Sequence, residues 1–260
     1  MTEWTRKKDE ASNHEFDAGK VASSIREGIR SRLKRLNRAW VAVRALFDDP
    51  EDTEQVFRVV TALRGKSLER AYLRFRSTNT GTRVLSEETD LLSSLRDRTA
   101  LEKHQEGTLA RAYLQFVRSG DLTADGLVEA SYEATENIED RDLLRYLNRI
   151  RDMHDLWHTL TRYGREPLGE ACLLAFTFAQ MKNPGTAFIV VLGSRRLAQG
   201  YGRGTIHALW RAYRDGKRAS WLAAQPYEEM LGTDVQELRS MLSIPEPTAY
   251  WLVLEQHGLR

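Results

Sequence analysis

The chain has 260 residues, with 39 Lys+Arg against 37 Asp+Glu and a formal net charge of +2. So even a balance excludes a dedicated nucleic-acid binder, which carries a clear basic excess, while 41% hydrophobic and 29% charged residues describe a globular chain and not a disordered one. One cysteine, Cys172, excludes an internal disulfide, a cysteine-based zinc finger and a cysteine-ligated iron–sulfur cluster.

Residues 1–20 carry four basic and five acidic side chains without periodicity, so a flexible polar arm is expected there. Neither a signal peptide nor a transit peptide fits that mixture, and the expectation is a cytoplasmic protein of bacterial type. From Val21 to Phe47 an apolar stripe recurs every three or four residues among seven basic side chains and one acidic. That pattern predicts a basic amphipathic helix, suited to a membrane surface or to packing on the rest of the domain. Thr53 starts a second predicted helix through Val56, Val59, Val60 and Leu63, closed by Gly65. Asn79-Thr80-Gly81 reads as a turn. Further helices are expected near 86–97, 108–118, 123–136 and 140–163. Ser67–Phe75 and Thr108–Phe116 echo each other, which convergent helix patterning explains.

Residues 149–162, set on one helix, place Arg151, His154, Asp155, His158 and Arg162 along one side and Met153, Leu156, Trp157 and Leu160 along the other. His154 and His158 stand one turn apart, the spacing at which two imidazoles share a metal ion, and Asp155 adds an oxygen. Gly164 ends the helix and Pro167 opens the next, which is apolar on nearly every side from Leu168 to Ala179 except at Glu170. A carboxylate on a buried helix asks for a cation. These residues make a divalent-metal site with two nitrogens and two oxygens; a merely solvated polar face, with Glu170 favouring the helix N-terminus, accounts for the same pattern. The 171–193 stretch is apolar but broken by Lys182-Asn183-Pro184-Gly185, too short for a membrane span. Only Ile189-Val190-Val191 resembles a strand. The expected fold is all-α: a single-domain helical bundle over 21–260 with a metal site between two adjacent helices.

His154-Asp155-x-x-His158, eleven residues and then Glu170 resembles the signature of the Coq-four family of ubiquinone biosynthesis. The likeness extends over roughly 39–245. Asp49-Pro50-Glu51-Asp52-Thr53, Glu106 to Tyr113, Arg149-x-Arg151, Tyr227-Glu228-Glu229 and Glu237-Leu238-Arg239 resemble other family segments. The chain departs from the pattern at Ala110 and at His104-Gln105, and lacks the lysine and glutamate usual after Glu170.

The resemblance implies a divalent metal, usually zinc, held by His154, Asp155, His158 and Glu170; manganese, iron, cobalt and magnesium suit the same ligands. It implies loss of the C1 carboxylate, alone or coupled to hydroxylation, from a polyprenylated hydroxybenzoate. Arg151 joins those four as a candidate catalytic residue. Arg162 and Arg165 could hold the carboxylate, and Phe176 and Phe178, with Phe188 and Ile189, the prenyl tail. The implied partners are that aromatic acid, other quinone-biosynthesis enzymes and the cytoplasmic face of the inner membrane, with room for a homo-oligomer and none for nucleic acid. Two other readings stay open: a non-catalytic lipid-binding scaffold, and a His-Asp metal phosphohydrolase with His104 or His207 as distant ligands.

Overall fold

The computed structural model describes residues 40–42, 45, 53–86, 91–120 and 138–260. These lie in one compact unit, Arg38–Arg260; Met1–Asn37 separates as another and lies outside the described residues. The expected arm over 1–20, most of the predicted helix over 21–47 and the predicted helix over 123–136 therefore lie outside the described residues. Of the 21–47 stripe, Trp40 is helical and exposed, while neighbouring Ala42 is buried with Val59 and Ile189.

The fold is all-α. In chain order come α1 (Thr53–Leu63), α2 (Ser67–Arg76), α3 (Asn79–Ser86), α4 (Leu91–Arg96), α5 (Arg98–Glu102), α6 (Leu109–Ser119), α7 (Arg141–Asp152), α8 (His154–Thr161), α9 (Pro167–Met181), α10 (Pro184–Tyr201) and α11 (Gly204–Arg218). A 3₁₀ turn at Leu222–Ala224 leads to α12 (Tyr227–Met230), α13 (Val235–Met241) and α14 (Thr248–Gln256). The extended pairing among the described residues is a single bridge between Thr108 and Asp234.

Helix α1 ends as expected, with Gly65 at φ +51° turning the chain in a conformation that side chains with a Cβ disfavour. Asn79-Thr80-Gly81 is not a turn but the start of α3. The hydroxyl of Thr78 accepts from the Gly81 amide at 2.9 Å, and a methyl on Gly81 would overlap the Phe75 carbonyl. That glycine serves close packing of α3 on the end of α2, which its turn-like sequence disguised. Ile189-Val190-Val191, the strand-like run, lies inside α10, because Asn183 caps that helix through the Gly185 amide and Pro184 opens it.

Helix α9 is the centre. Its apolar surface, with Leu168, Ala171, Cys172, Leu173, Ala175, Phe176 and Ala179 buried, leaves only a helix surrounded by others as a stable place for it. Helix α11 approaches so closely that Gly216 lies against the Phe176 carbonyl, where any Cβ would overlap. Glu166 caps α9 from its side chain to the Gly169 amide at 2.9 Å.

Candidate metal centre

The segment from Arg141 to Thr161 is two helices, not one. Asp140 caps α7 through the amides of Asp142 and Leu143, and the run is interrupted at Met153. Most of the polar side of α8 is buried too: Asp155, His158, Thr159 and Thr161 are buried along with Leu156 and Leu160, and His154 is half-buried. The helix ends at Thr161, and Arg162, not a glycine, takes the left-handed conformation at φ 60°. A non-glycine there costs on the order of 1 kcal/mol. Surrounding contacts hold it. Arg239 of α13 donates to the Leu160 and Thr159 carbonyls at 2.9 and 2.8 Å, satisfying the free end of α8. Burial pushes the Arg239 guanidinium down to about 10, still charged at neutral pH.

Two more residues lock the helix pair. Arg149, almost fully buried, donates to both Glu228 oxygens and to the Gln225 carbonyl. Trp157 Nε1 donates to Tyr227 Oη at 3.1 Å. The segments Arg149-x-Arg151, Tyr227-Glu228 and Leu238-Arg239, separated by up to 90 residues, therefore meet around one pair of helices.

This scaffold brings together His154, His158 and Glu170, with one ligand atom of each lying within 4.8 Å of the others. The rings of His154 and His158 meet edge to face, 4.7 Å between centroids. The Nδ1 of His158 lies 3.0 Å from the Tyr163 carbonyl, which can only accept. Nδ1 must therefore carry the hydrogen, leaving a lone pair on Nε2. That Nε2 is buried with no hydrogen-bond donor of its own, 3.3 Å from Glu170 Oε1. Likewise His154 Nδ1 faces Asp155 Oδ1 at 3.3 Å, and its Nε2 lies 3.8 Å from Glu170 Oε2. Two imidazole lone pairs thus face the two oxygens of one carboxylate. Such an arrangement needs a cation between acceptors, a proton or a metal ion.

Electrostatics agree. Burial opposes charge on His154, but the Asp155 hydrogen bond and the Glu170 carboxylate outweigh it and hold its pKa above the ordinary histidine value. Burial likewise opposes charge on Glu170, yet His158 and His154 hold it below the usual carboxylate value. The donor set fits a divalent ion: neutral imidazole nitrogens, their far sides fixed by a carboxylate and a carbonyl, and an anionic oxygen from the next helix. Asp155 stands behind His154 and is not among the three clustered ligands.

The other sequence candidates divide. His154 and Arg151 line a cavity of about 220 Å³ walled by Val56, Leu68, Trp157 and Leu174. Arg151 is engaged by Asp152 at 2.7 Å and by the Asn148 side chain. Arg165 lies over the Phe116 ring, which stacks on His158. Arg162 points elsewhere, to Glu246 at 3.0 Å. Phe176 is core, and Phe178 stacks on Tyr213; neither lines the cavity, because both fall on the α11 side of α9. His104 and His207 are absent from the cluster, so the extra ligands that a His-Asp phosphohydrolase needs do not come from them. The Tyr163 carbonyl has no sequence signal, and the family-like segments that hold Arg149, Glu228 and Arg239 do not say what these residues touch; only their meeting at α8 reveals it.

Comparison with known proteins agrees with this architecture. Residues 30–248 match the family model described as "Coenzyme Q (ubiquinone) biosynthesis protein Coq4". Over 176 residues, 67% of the chain, it is 31% identical to "Ubiquinone biosynthesis protein COQ4 homolog, mitochondrial" of Danio rerio, spanning 63% of that protein's length. Over 170 residues, 65% of the chain, it is 29% identical to "Ubiquinone biosynthesis protein COQ4, mitochondrial" of Pyricularia oryzae, spanning 54% of that length. The crystal structure of a Nostoc punctiforme PCC 73102 protein described as a ubiquinone biosynthesis protein shares the fold. Its TM-score is 0.58 at 20% identity, over 81% of this chain and 98% of that one.

Proposed function

Because the chain belongs to the Coq4 family of coenzyme Q (ubiquinone) biosynthesis proteins, we propose that it is an enzyme acting on a polyprenylated hydroxybenzoate at the His154–His158–Glu170 centre. The reaction we infer is removal of the C1 carboxylate. The observation that carries this reading is the convergence of the His154 and His158 Nε2 atoms on the two oxygens of Glu170, with His154 lining an apolar cavity. A solvated helix face has no use for such an arrangement, and a scaffold alone would not require it.

The roles follow from the geometry. Glu170, His154 and His158 would hold a divalent ion, zinc first among those that suit them; bound there, it would polarise an oxygen of the substrate as a Lewis acid. Asp155 acts through His154, fixing its tautomer and ring, as the Tyr163 carbonyl does for His158. Arg151, whose position Asp152 and Asn148 set, is the cation beside His154. The cavity excludes water from the ring and accepts the start of the apolar tail. Loss of carbon dioxide leaves an electron pair on C1 that takes up a proton; coupled hydroxylation at that carbon draws on an external two-electron oxidant.

No helix among the described residues is long and apolar enough to cross a membrane. A substrate with a long prenyl tail nonetheless resides in a bilayer, so peripheral docking, with other quinone-biosynthesis enzymes as partners, forms part of the proposal. Complementation tests it. In a strain lacking the gene, the accumulated lipid should be a ring-carboxylated prenyl precursor, and Glu170→Ala should express, fold and fail to clear it. Restoration of quinone by Glu170→Ala would leave a scaffold instead.

A further inference from the structure

The cavity is lined by a cation that no carboxylate among the described residues neutralises. Arg64 follows the last residue of α1 and lines the same cavity as His154. It is half-buried, and among the described residues no carboxylate pairs with it. Of the other arginines around the site, Arg151 meets Asp152, Arg149 meets Glu228 and Arg162 meets Glu246, while Arg165 covers the Phe116 ring and does not line the cavity. Burial alone lowers the pKa of Arg64, with no anion to oppose it, and the side chain stays charged. Its main chain is not free to swing away. The Ser67 amide and hydroxyl both donate to the Arg64 carbonyl, at 2.9 and 2.5 Å, and Gly65 closes the turn between them. Ser67 is itself buried.

A partly desolvated guanidinium in an apolar chamber is unfavourable unless an anion meets it. Its fork matches the two oxygens of a planar carboxylate, and one guanidinium balances one negative charge; a phosphate dianion would call for more. The surrounding wall, from Val60, Leu68, Leu147, Ile150 and Met181, admits an apolar body. We propose that Arg64 is the carboxylate receptor of this cavity, binding an amphipathic monoanion, an aromatic or prenylated acid, whose apolar body fills the space between Arg64 and His154. This rests on reading the cavity as the substrate site. It assigns to Arg64 the part that Arg162 and Arg165, which do not line the cavity, were expected to play.

Calorimetry on the zinc-loaded protein tests it, with 3-geranyl-4-hydroxybenzoate and its methyl ester as probes. The wild type should bind the acid about tenfold or more tightly than the ester, the worth of one charge-assisted pair. Arg64→Gln should erase that preference while leaving ester affinity and zinc content unchanged, and Arg64→Lys should keep part of it. Metal-stripped wild type separates this inference from the metal reading. A preference that survives stripping yet vanishes in Arg64→Gln sustains Arg64 even if the metal centre proves inert. A preference that persists in Arg64→Gln, that disappears on metal removal with Arg64 intact, or that never appears in the wild type overturns the proposal.

Discussion

At the scale of single residues, the site is built from tautomers as much as from ligands. The Tyr163 carbonyl and the Asp155 carboxylate decide which nitrogen of each histidine stays bare. Removing a ligand and removing an orienting group should therefore differ. His158→Ala and Glu170→Ala are expected to lose zinc at micromolar concentrations, whereas Asp155→Asn should retain it about 10–100-fold more weakly. Metal analysis after gel filtration, followed by competition with a chelator, would show this; equal loss in all three would make Asp155 a ligand. The Arg149–Glu228 pair has its own pH signature. Burial works against the Glu228 charge, but the Arg149 hydrogen bonds and charge prevail and hold its pKa below the usual carboxylate value. A carboxyl depressed on folding contributes stability above its unfolded pKa and loses it as pH falls through the folded one. Stability should therefore drop below about pH 4, and Glu228→Gln should be less stable at neutral pH with a flatter acid limb in thermal melts.

At the scale of helices, close approach governs. The tight crossing of α9 and α11 rests on Gly216 beside the Phe176 carbonyl. Gly216→Ala forces the backbones apart and should cost about 1–3 kcal/mol, read as a lowered melting temperature. A change within error would mean that the crossing relaxes freely. The same reasoning explains two misread elements. Gly81 has the neighbours of a turn residue but lies in α3 because a neighbouring backbone needs its missing side chain. The β-branched run Ile189-Val190-Val191 is helical because a capped helix start precedes it and helix packing, not local propensity, decides.

At the scale of the whole molecule, α14 reaches the candidate metal centre without touching it. Tyr250 Oη donates to Glu166 Oε1 at 2.6 Å and accepts from the Gly164 amide at 2.8 Å, while its ring meets Tyr163 edge to face. It thus clamps the loop that carries the Tyr163 carbonyl into α9, where Glu170 sits. Tyr250→Phe keeps the ring and removes both bonds. Zinc affinity should fall several-fold with little change in melting temperature; an unchanged affinity would confine Tyr250 to packing.

The sequence by itself determined the all-helical class, the apolar α9 with its Pro167 start, and the candidate set His154, Asp155, His158 and Glu170, of which the first, third and fourth cluster. Each rests on local order: a 3.6-residue period, a proline at a helix start, a one-turn spacing, and a single carboxylate on a greasy helix. Tertiary structure decided what those residues face. Periodicity gave α8 a polar side but could not tell a solvated side from one buried under α6, α9 and α13, because burial depends on the partner helices. It could not sort the arginines either: Arg151, Arg162 and Arg165 look equivalent along the chain, yet one meets Asp152, one meets Glu246 and one covers Phe116. Arg64, about 90 residues from the motif, reaches the cavity only because α1 folds back across α10 and α9. An unpaired charge is a property of its surroundings, and those are assembled by packing between residues far apart in the chain.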